Sequence, residues 1–291
     1  MLESILNDET KGYLPFHANS SVILWPKVFK YTISVLAVPI LLYLHIHFEG
    51  FRPGLVWGCL ALSFCGFLSL GVGYHRHFTD KSFKAAAPLR LFFLFFGAAN
   101  QTYSALKWAN LHRRHHKYCD DPVRDPLAAT RGLFFAHIGW LFVDDHKKTE
   151  EFLCNDLTKD QLIMWQHRHY KKLLFFHQYV LPLTIGLFLN APFGAMAFLG
   201  FLKTIIPQQL IFSVNSIGHK YGSREFDQAT TATDNHLLAL VTLGEGYHNF
   251  HHTHAADYRA GIAWYSLDFG KWFIWVASKM GVTYDLKRIK S

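Results

Sequence analysis

The sequence predicts an all-α integral membrane protein: four transmembrane helices in two hairpins with a cytoplasmic helical cap, one domain over residues 1–291. Three observations lead there. Half of the chain (51%) is hydrophobic and only 17% is charged, below the roughly one quarter usual in soluble domains. Four runs approach the ~20 apolar residues that a membrane-crossing helix needs. The basic residues gather on one side of those runs.

The elements follow in order. The N-terminal stretch MLESILNDETKGYLPFHANSS is mixed and polar, with no basic segment leading into an apolar one, so no cleavable signal peptide is expected. The first span covers about 28–48 and the second about 54–73, joined by EGFRPG at 49–54. The third covers about 173–190 and the fourth about 193–214, joined by NAPF at 190–193. Links this short force antiparallel neighbours. The run 91–106 contains Asn100 and Gln101, and is expected to lie in the interface or dip into the membrane.

Segment 74–172 carries 16 Lys/Arg against 10 Asp/Glu, whereas Arg52 is the only basic residue of the two short links. The positive-inside rule then places the cap (74–172 and 215–291) and both termini in the cytoplasm. A net charge of +8 sets topology and suits anionic lipid headgroups; no nucleic-acid partner is expected. The four cysteines contain no C-x-x-C pair and read as free thiols in a reducing compartment. Lys203, inside the fourth span, serves a function, snorkels, or faces an internal cavity.

Histidine is the anomaly, at 19 residues. WANLHRRHHKYCDDP supplies His112, His115 and His116, and GEGYHNFHHTH supplies His248, His251 and His252. Both read H-x-x-H-H, and positions i, i+3 and i+4 share a helix face, so each triplet is expected to converge on one point. Six imidazoles are too many for one four-coordinate zinc. Nitrogen-rich sites suit Zn, Cu, Fe or Ni, and two metals with open positions suit iron performing oxygen chemistry.

The stretch GYHRHFTD, residues 73–80, adds His75, His77 and Asp80. On a straight helix His75 and His77 point about 200° apart and His75 and Asp80 about 140° apart, so spacing alone does not choose a partner for His75. The remaining histidines read as non-ligands: His17, His45, His47, His137, His146, His167, His169, His177, His236 and His254.

Together GYHRHFTDKSFKA, HRRHHKY with the following RDP and RGLFFAHIGWLF, VNSIGHKYG and GEGYHNFHHTHAADYR resemble the membrane fatty acyl desaturases of the stearoyl-CoA desaturase type, over about residues 50–288. The resemblance implies two irons above a bent hydrophobic tunnel, with O2 as co-substrate and electrons from an external donor such as ferredoxin or cytochrome b5. It maps His75, His112, His115, His116, His219, His248, His251 and His252 onto iron ligands, and Asn215 onto a ligand acting through water. Asp80 stands where the family has its second box-one histidine, and a carboxylate is a competent iron ligand. The plainer alternative is that Asp80 caps a helix or pairs with Arg76 or Lys81, while His77 or water fills the coordination site.

Two further stretches bear on substrate. An Arg-Asp pair that grips CoA in the family is replaced by Asn110 and Leu111, and together with the basic face this favours a thioester on acyl carrier protein over CoA; a lipid-bound chain is the other option. Phe64 and Phe67, with Cys59 and Ser63, fall where the family closes its tunnel. The short chain, without a long N-terminal extension, is expected of a bacterial member. Related oxidations (acetylenation, hydroxylation, decarboxylation) would use nearly the same ligands. A histidine-rich metal transporter is the competing class, and it requires ligands near the bilayer midplane.

Overall fold

The computed structural model describes residues 22–143 and 151–289; His17 and His146 lie outside them. The chain is mostly helical, and the strands among the described residues form a two-residue antiparallel pairing, β1 (Lys84–Ala85) against β2 (Thr283–Tyr284). Among the described residues, three helices are long and apolar enough to cross a membrane: α1 (Trp25–Glu49), α2 (Pro53–Thr79) and a later one, Pro192–His219. Pro26 occupies the first turn of α1, where no intrahelical N–H bond is lost. Phe29, Ile33, Leu36, Ile40 and Tyr43 of α1 are exposed, an arrangement that water penalises and hydrocarbon does not.

Between α2 and the third apolar run lie α3 (Ala87–Ala98), α4 (Ala105–Lys117) and the short α5 (Leu133–His137). The run 91–106 is therefore parts of two helices rather than one. It breaks at 99–104, where Gln101 and Tyr103 take left-handed φ values of 55° and 83°. Asn100 turns its amide to the carbonyl of Gly66 at 2.9 Å, and Ser104 caps α4.

The expected third span, 173–190, falls in a helix that begins earlier in the chain. It is the later part of a longer helix, α6, built from Gln161–Phe175, Phe176–Val180 and Leu181–Phe188. Lys171, Lys172, His177 and Gln178 dilute its hydropathy, so it is not among the three helices that meet the length and apolarity of a span. Helix α7 (Pro192–His219) follows after a tight link. Its Lys203 is buried and donates to the carbonyl of His177 at 2.8 Å.

The two hairpins are latched at their links. Glu49, ending α1, accepts from the backbone N–H groups of Phe193 and Gly194 at 2.8 and 3.0 Å, satisfying free donors that begin α7. Buried His45 donates to the same carboxylate from 2.8 Å. Helices α2 and α7 both begin beside this latch, so both carry their C-terminal ends to the opposite side. With 27 and 28 residues each extends to roughly 40 Å at ~1.5 Å per residue, beyond a ~30 Å hydrocarbon core. Those projecting ends hold His75 and His219. The chain closes with α8 (His236–Val241), α9 (His248–Thr253) and α10 (Phe269–Lys279).

Candidate functional site

Four segments bring imidazoles together: the ends of α2 and α7, helix α4 and helix α9. The end of α2 is the unusual one. From Ser69 to Thr79 its turns are wide, a departure from α-helical geometry that recurs at functional sites. Asp80 N–H bonds the carbonyl of His75 at 3.1 Å, five residues back. One wide turn thus puts His75 and Asp80 on the same face, with His75 Nε2 and Asp80 Oδ2 3.5 Å apart. The straight-helix estimate fails for this reason.

His77 points elsewhere. Its Nδ1 lies 3.0 Å from the carbonyl of Phe83, and its ring packs against Phe78, Phe83 and Phe93.

Eight histidines fall into two groups of four, His75, His112, His116 and His251 in one, and His115, His219, His248 and His252 in the other. Within each group the candidate ligand atoms lie within 4.8 Å of one another. The H-x-x-H-H triplets therefore do not converge on one point each; each is divided between the groups. At about 100° per residue, position i+4 lies about 40° to one side of position i and position i+3 about 60° to the other. His112 and His116 consequently face one group while His115 faces the other. Helix α9 divides in the mirrored sense, with His251 in the first group and His248 and His252 in the second.

Several contacts test whether a metal ion suits these groups. His75 and His251 place Nε2 atoms 2.8 Å apart, His112 and His116 2.9 Å, and His116 and His251 3.0 Å. In the second group His248 Nε2 lies 3.0 Å from those of His219 and His252. Four nitrogens around one ion at ~2.0–2.1 Å would sit roughly 3.3 Å apart, close to what is present. Burial, followed by the neighbouring rings, holds His112, His116, His248, His251 and His252 well below the usual imidazole range. This direction favours neutral rings, whose free nitrogens offer lone pairs. The buried Nε2 of His115 has no hydrogen-bond partner among the described residues. Both donor sets fit a nitrogen-loving divalent metal.

Outer partners fix which nitrogen faces inward, as they do around bound metals generally. His75 Nδ1 donates to Glu245, His115 Nδ1 to Asp125 at 2.9 Å, and His219 Nδ1 to Thr231 at 2.9 Å, whose hydroxyl passes on to Asp120 at 2.5 Å. Burial alone would raise Glu245, but Arg76 and then His75 hold its carboxyl down at about 2. Arg76 donates to Glu245 from both Nε and Nη2, at 3.0 and 2.7 Å. The glycines around Glu245 permit its placement. Gly244 has φ +109°, and a side-chain carbon there would strike Asp268; at Gly246 it would strike the backbone of Ala239.

In the sequence, GEG and RDP assign no role to Glu245 or Asp125. The available signal is an acidic residue placed shortly before a histidine box or ten residues after one. Thr231 and Asp120 carry no such signal.

Next to both groups is a mainly apolar cavity. His75 and His112 of the first and His248 of the second line it, with Asn215, Trp108, Trp140, Ile211 and Phe212 among the other walls. Leu111 also lines it. Asn110 does not: its Nδ2 donates to the carbonyl of Glu151 at 3.1 Å and its Oδ1 accepts from Leu153 N–H at 2.6 Å. These two bonds fasten the backbone of 151–153 to α4. Phe64 is exposed on the outer stripe with Trp57 and Leu60, and Phe67 is buried but outside this cavity. Neither side chain is among the walls of this cavity.

Residues 51–286 match the family model described as fatty acid desaturase. "Acyl-CoA desaturase 1" of Saccharomyces cerevisiae is 42% identical over 225 residues, covering 77% of this chain and 44% of the yeast protein. "Stearoyl-CoA desaturase" of Homo sapiens is 32% identical over 240 residues, 80% of this chain and 66% of the human one. A "Delta(9)-fatty-acid desaturase" of Caenorhabditis elegans is 31% identical over 271 residues, 91% and 79% of the two chains. The chain spans less than half the length of the yeast relative. These relatives are eukaryotic, and the expectation of a bacterial member finds no support in them.

Proposed function

This chain belongs to the fatty acid desaturase family, and from that premise we propose that it is an O2-dependent acyl-CoA desaturase, removing two hydrogens from the acyl chain. The observation that carries the reading is the apolar cavity walled by histidines from both four-imidazole groups. A methylene chain lying there is held against both groups at once. CoA replaces acyl carrier protein as the favoured carrier, since the yeast and human relatives are named for acyl-CoA and stearoyl-CoA.

In this reading His75, His112, His116 and His251 hold one iron, and His115, His219, His248 and His252 hold the other. Asn215 contributes through water beside His248. Asp80 completes the first set. Its buried Oδ2 has no hydrogen-bond partner among the described residues and lies 3.5 Å from His75 Nε2, about the spacing of two ligands on one ion. Bound iron supplies the dioxygen-derived oxidising power, fed by an external electron donor, that no side-chain acid or base has. The protein's own part is positional. Glu245, Asp125 and Thr231 aim the imidazoles, while Trp108, Trp140 and Phe212 exclude water and hold the chain.

The chain crosses the membrane four times, with the later part of α6 as the third span and the histidine groups on the cytoplasmic side. The basic excess of 74–172 supports this orientation.

Three outcomes check these claims. Asp80→Ala is expected to lower iron content and turnover, while His77→Ala keeps most of its iron; normal iron and turnover in Asp80→Ala would remove Asp80 from the ligand set. Single cysteines introduced at Glu151 and Tyr265 are expected to label from the same side, with Arg52→Cys labelling from the other. Labelling of Glu151 and Tyr265 from opposite sides would refute the topology. Mass spectrometry of products from the purified, reduced enzyme is expected to show one added double bond on acyl-CoA, formed with a specificity constant above that for the matching carrier-protein thioester. Acetylenic or hydroxylated products would move the assignment to a related oxidation, and absence of oxidation with metal transport into vesicles would move it to a transporter.

A further inference from the structure

Segment 100–103 is held more tightly than a connecting loop requires. Thr102 lies between two non-glycine residues in left-handed conformations, Gln101 and Tyr103, an arrangement that persists only when its surroundings enforce it. They do. Gln208 donates to the carbonyl of Asn100 at 2.8 Å, Gln101 donates to Gln178 at 2.7 Å, and Tyr103 N–H donates to the hydroxyl of Tyr170 at 3.1 Å. The product of these constraints is the position of one side chain. Thr102 is 2% exposed and lines the same cavity as His75 and His112. Its hydroxyl has no hydrogen-bond partner among the described residues.

A buried hydroxyl without a partner is unfavourable. Thr102 lies outside any helix, so the usual bond to a carbonyl one turn back is not open to it. The cavity walls are mainly apolar, with Trp108, Leu111, Trp140, Ile211 and Phe212, and among the described residues its polar walls, Asn215, Glu245 and the three histidines, make no hydrogen bond to the Thr102 hydroxyl. A plain hydrocarbon chain in the cavity would leave the hydroxyl unsatisfied. A chain bearing an oxygen at the matching depth would not.

We propose that Thr102 is a specificity-determining residue that reads an oxygen substituent, hydroxyl or keto, on the acyl chain. The inference rests on the desaturase reading of the cavity and adds a preference within it. A site placed to hydrogen-bond a substrate oxygen disfavours the analogue lacking it, because its own polar group is then left unpaired. One neutral hydrogen bond corresponds to a preference of between about twofold and tenfold.

The experiment compares the unsubstituted saturated acyl-CoA with a series of equal length in which a single hydroxyl or keto group is walked along the chain. Specificity constants are measured for the wild-type enzyme, Thr102→Val and Thr102→Ser. One position in the series is expected to exceed the unsubstituted chain by between about twofold and tenfold. That ratio should collapse in Thr102→Val, which keeps the shape, and persist in Thr102→Ser, which keeps the hydroxyl. Absence of a preferred position in the wild type overturns the proposal and assigns the hydroxyl to an ordered water. A preference that survives in Thr102→Val overturns it equally. Failure of the enzyme to oxidise any acyl-CoA would instead overturn the desaturase reading itself, so the two failures are distinct.

Discussion

Arg76 and Glu245, 169 residues apart with side chains 3% exposed, form the buried ion pair on which the site depends, and they meet through two hydrogen bonds. Glu245 also accepts from His75, and Arg76 continues to Asp268 and to the carbonyl of Tyr258, at 2.9 and 3.0 Å. Asp268 in turn caps α10 through Lys271 N–H at 2.8 Å and takes the N–H of Ala260 at 2.7 Å. The end of a membrane helix, the approach to α9 and the last helix are thereby tied to one guanidinium. Removing one partner of such a pair costs ~3–5 kcal/mol, because the other charge is left buried and alone. Here it would also release His75.

Around this tie the two histidine groups can be close without being merged. Helices α4 and α9 each present a triplet, and each triplet is divided two to one between the groups. No segment completes a group by itself. His75 and His219, at the projecting ends of α2 and α7, close one group each. The latch of His45 and Glu49 on the start of α7 fixes those two helices at their other ends. Rigid supports at both ends keep the two histidine groups in fixed positions.

Much of this is legible in the sequence. The first, second and fourth apolar runs appear as α1, α2 and α7 because length and hydropathy determine them directly. The six histidines of the two H-x-x-H-H boxes announce their chemistry by type and spacing, whereas His75 and His219 join them through the resemblance, and all eight gather in the fold. The rest depends on information that pattern does not carry. The wide turns of 69–79 cannot be read from an α-helical period, and they alone bring Asp80 beside His75. The third run mixes Lys172, His177 and Gln178 with apolar residues, and its helix extends back to Gln161. Asn110 reads in sequence as a lost charge, whereas in the fold it holds the backbone of Glu151 and Leu153. Glu245 looks like part of a lead-in, and its role emerges only from a contact 170 residues away in sequence.

The eight imidazoles gather into two groups of four rather than one group per histidine box. Anomalous diffraction from crystals of the iron-loaded protein shows whether each group holds its own ion. Two iron peaks are predicted, one among His75, His112, His116 and His251, the other among His115, His219, His248 and His252. A single peak, or one coordinated by His112, His115 and His116 together, would contradict the account.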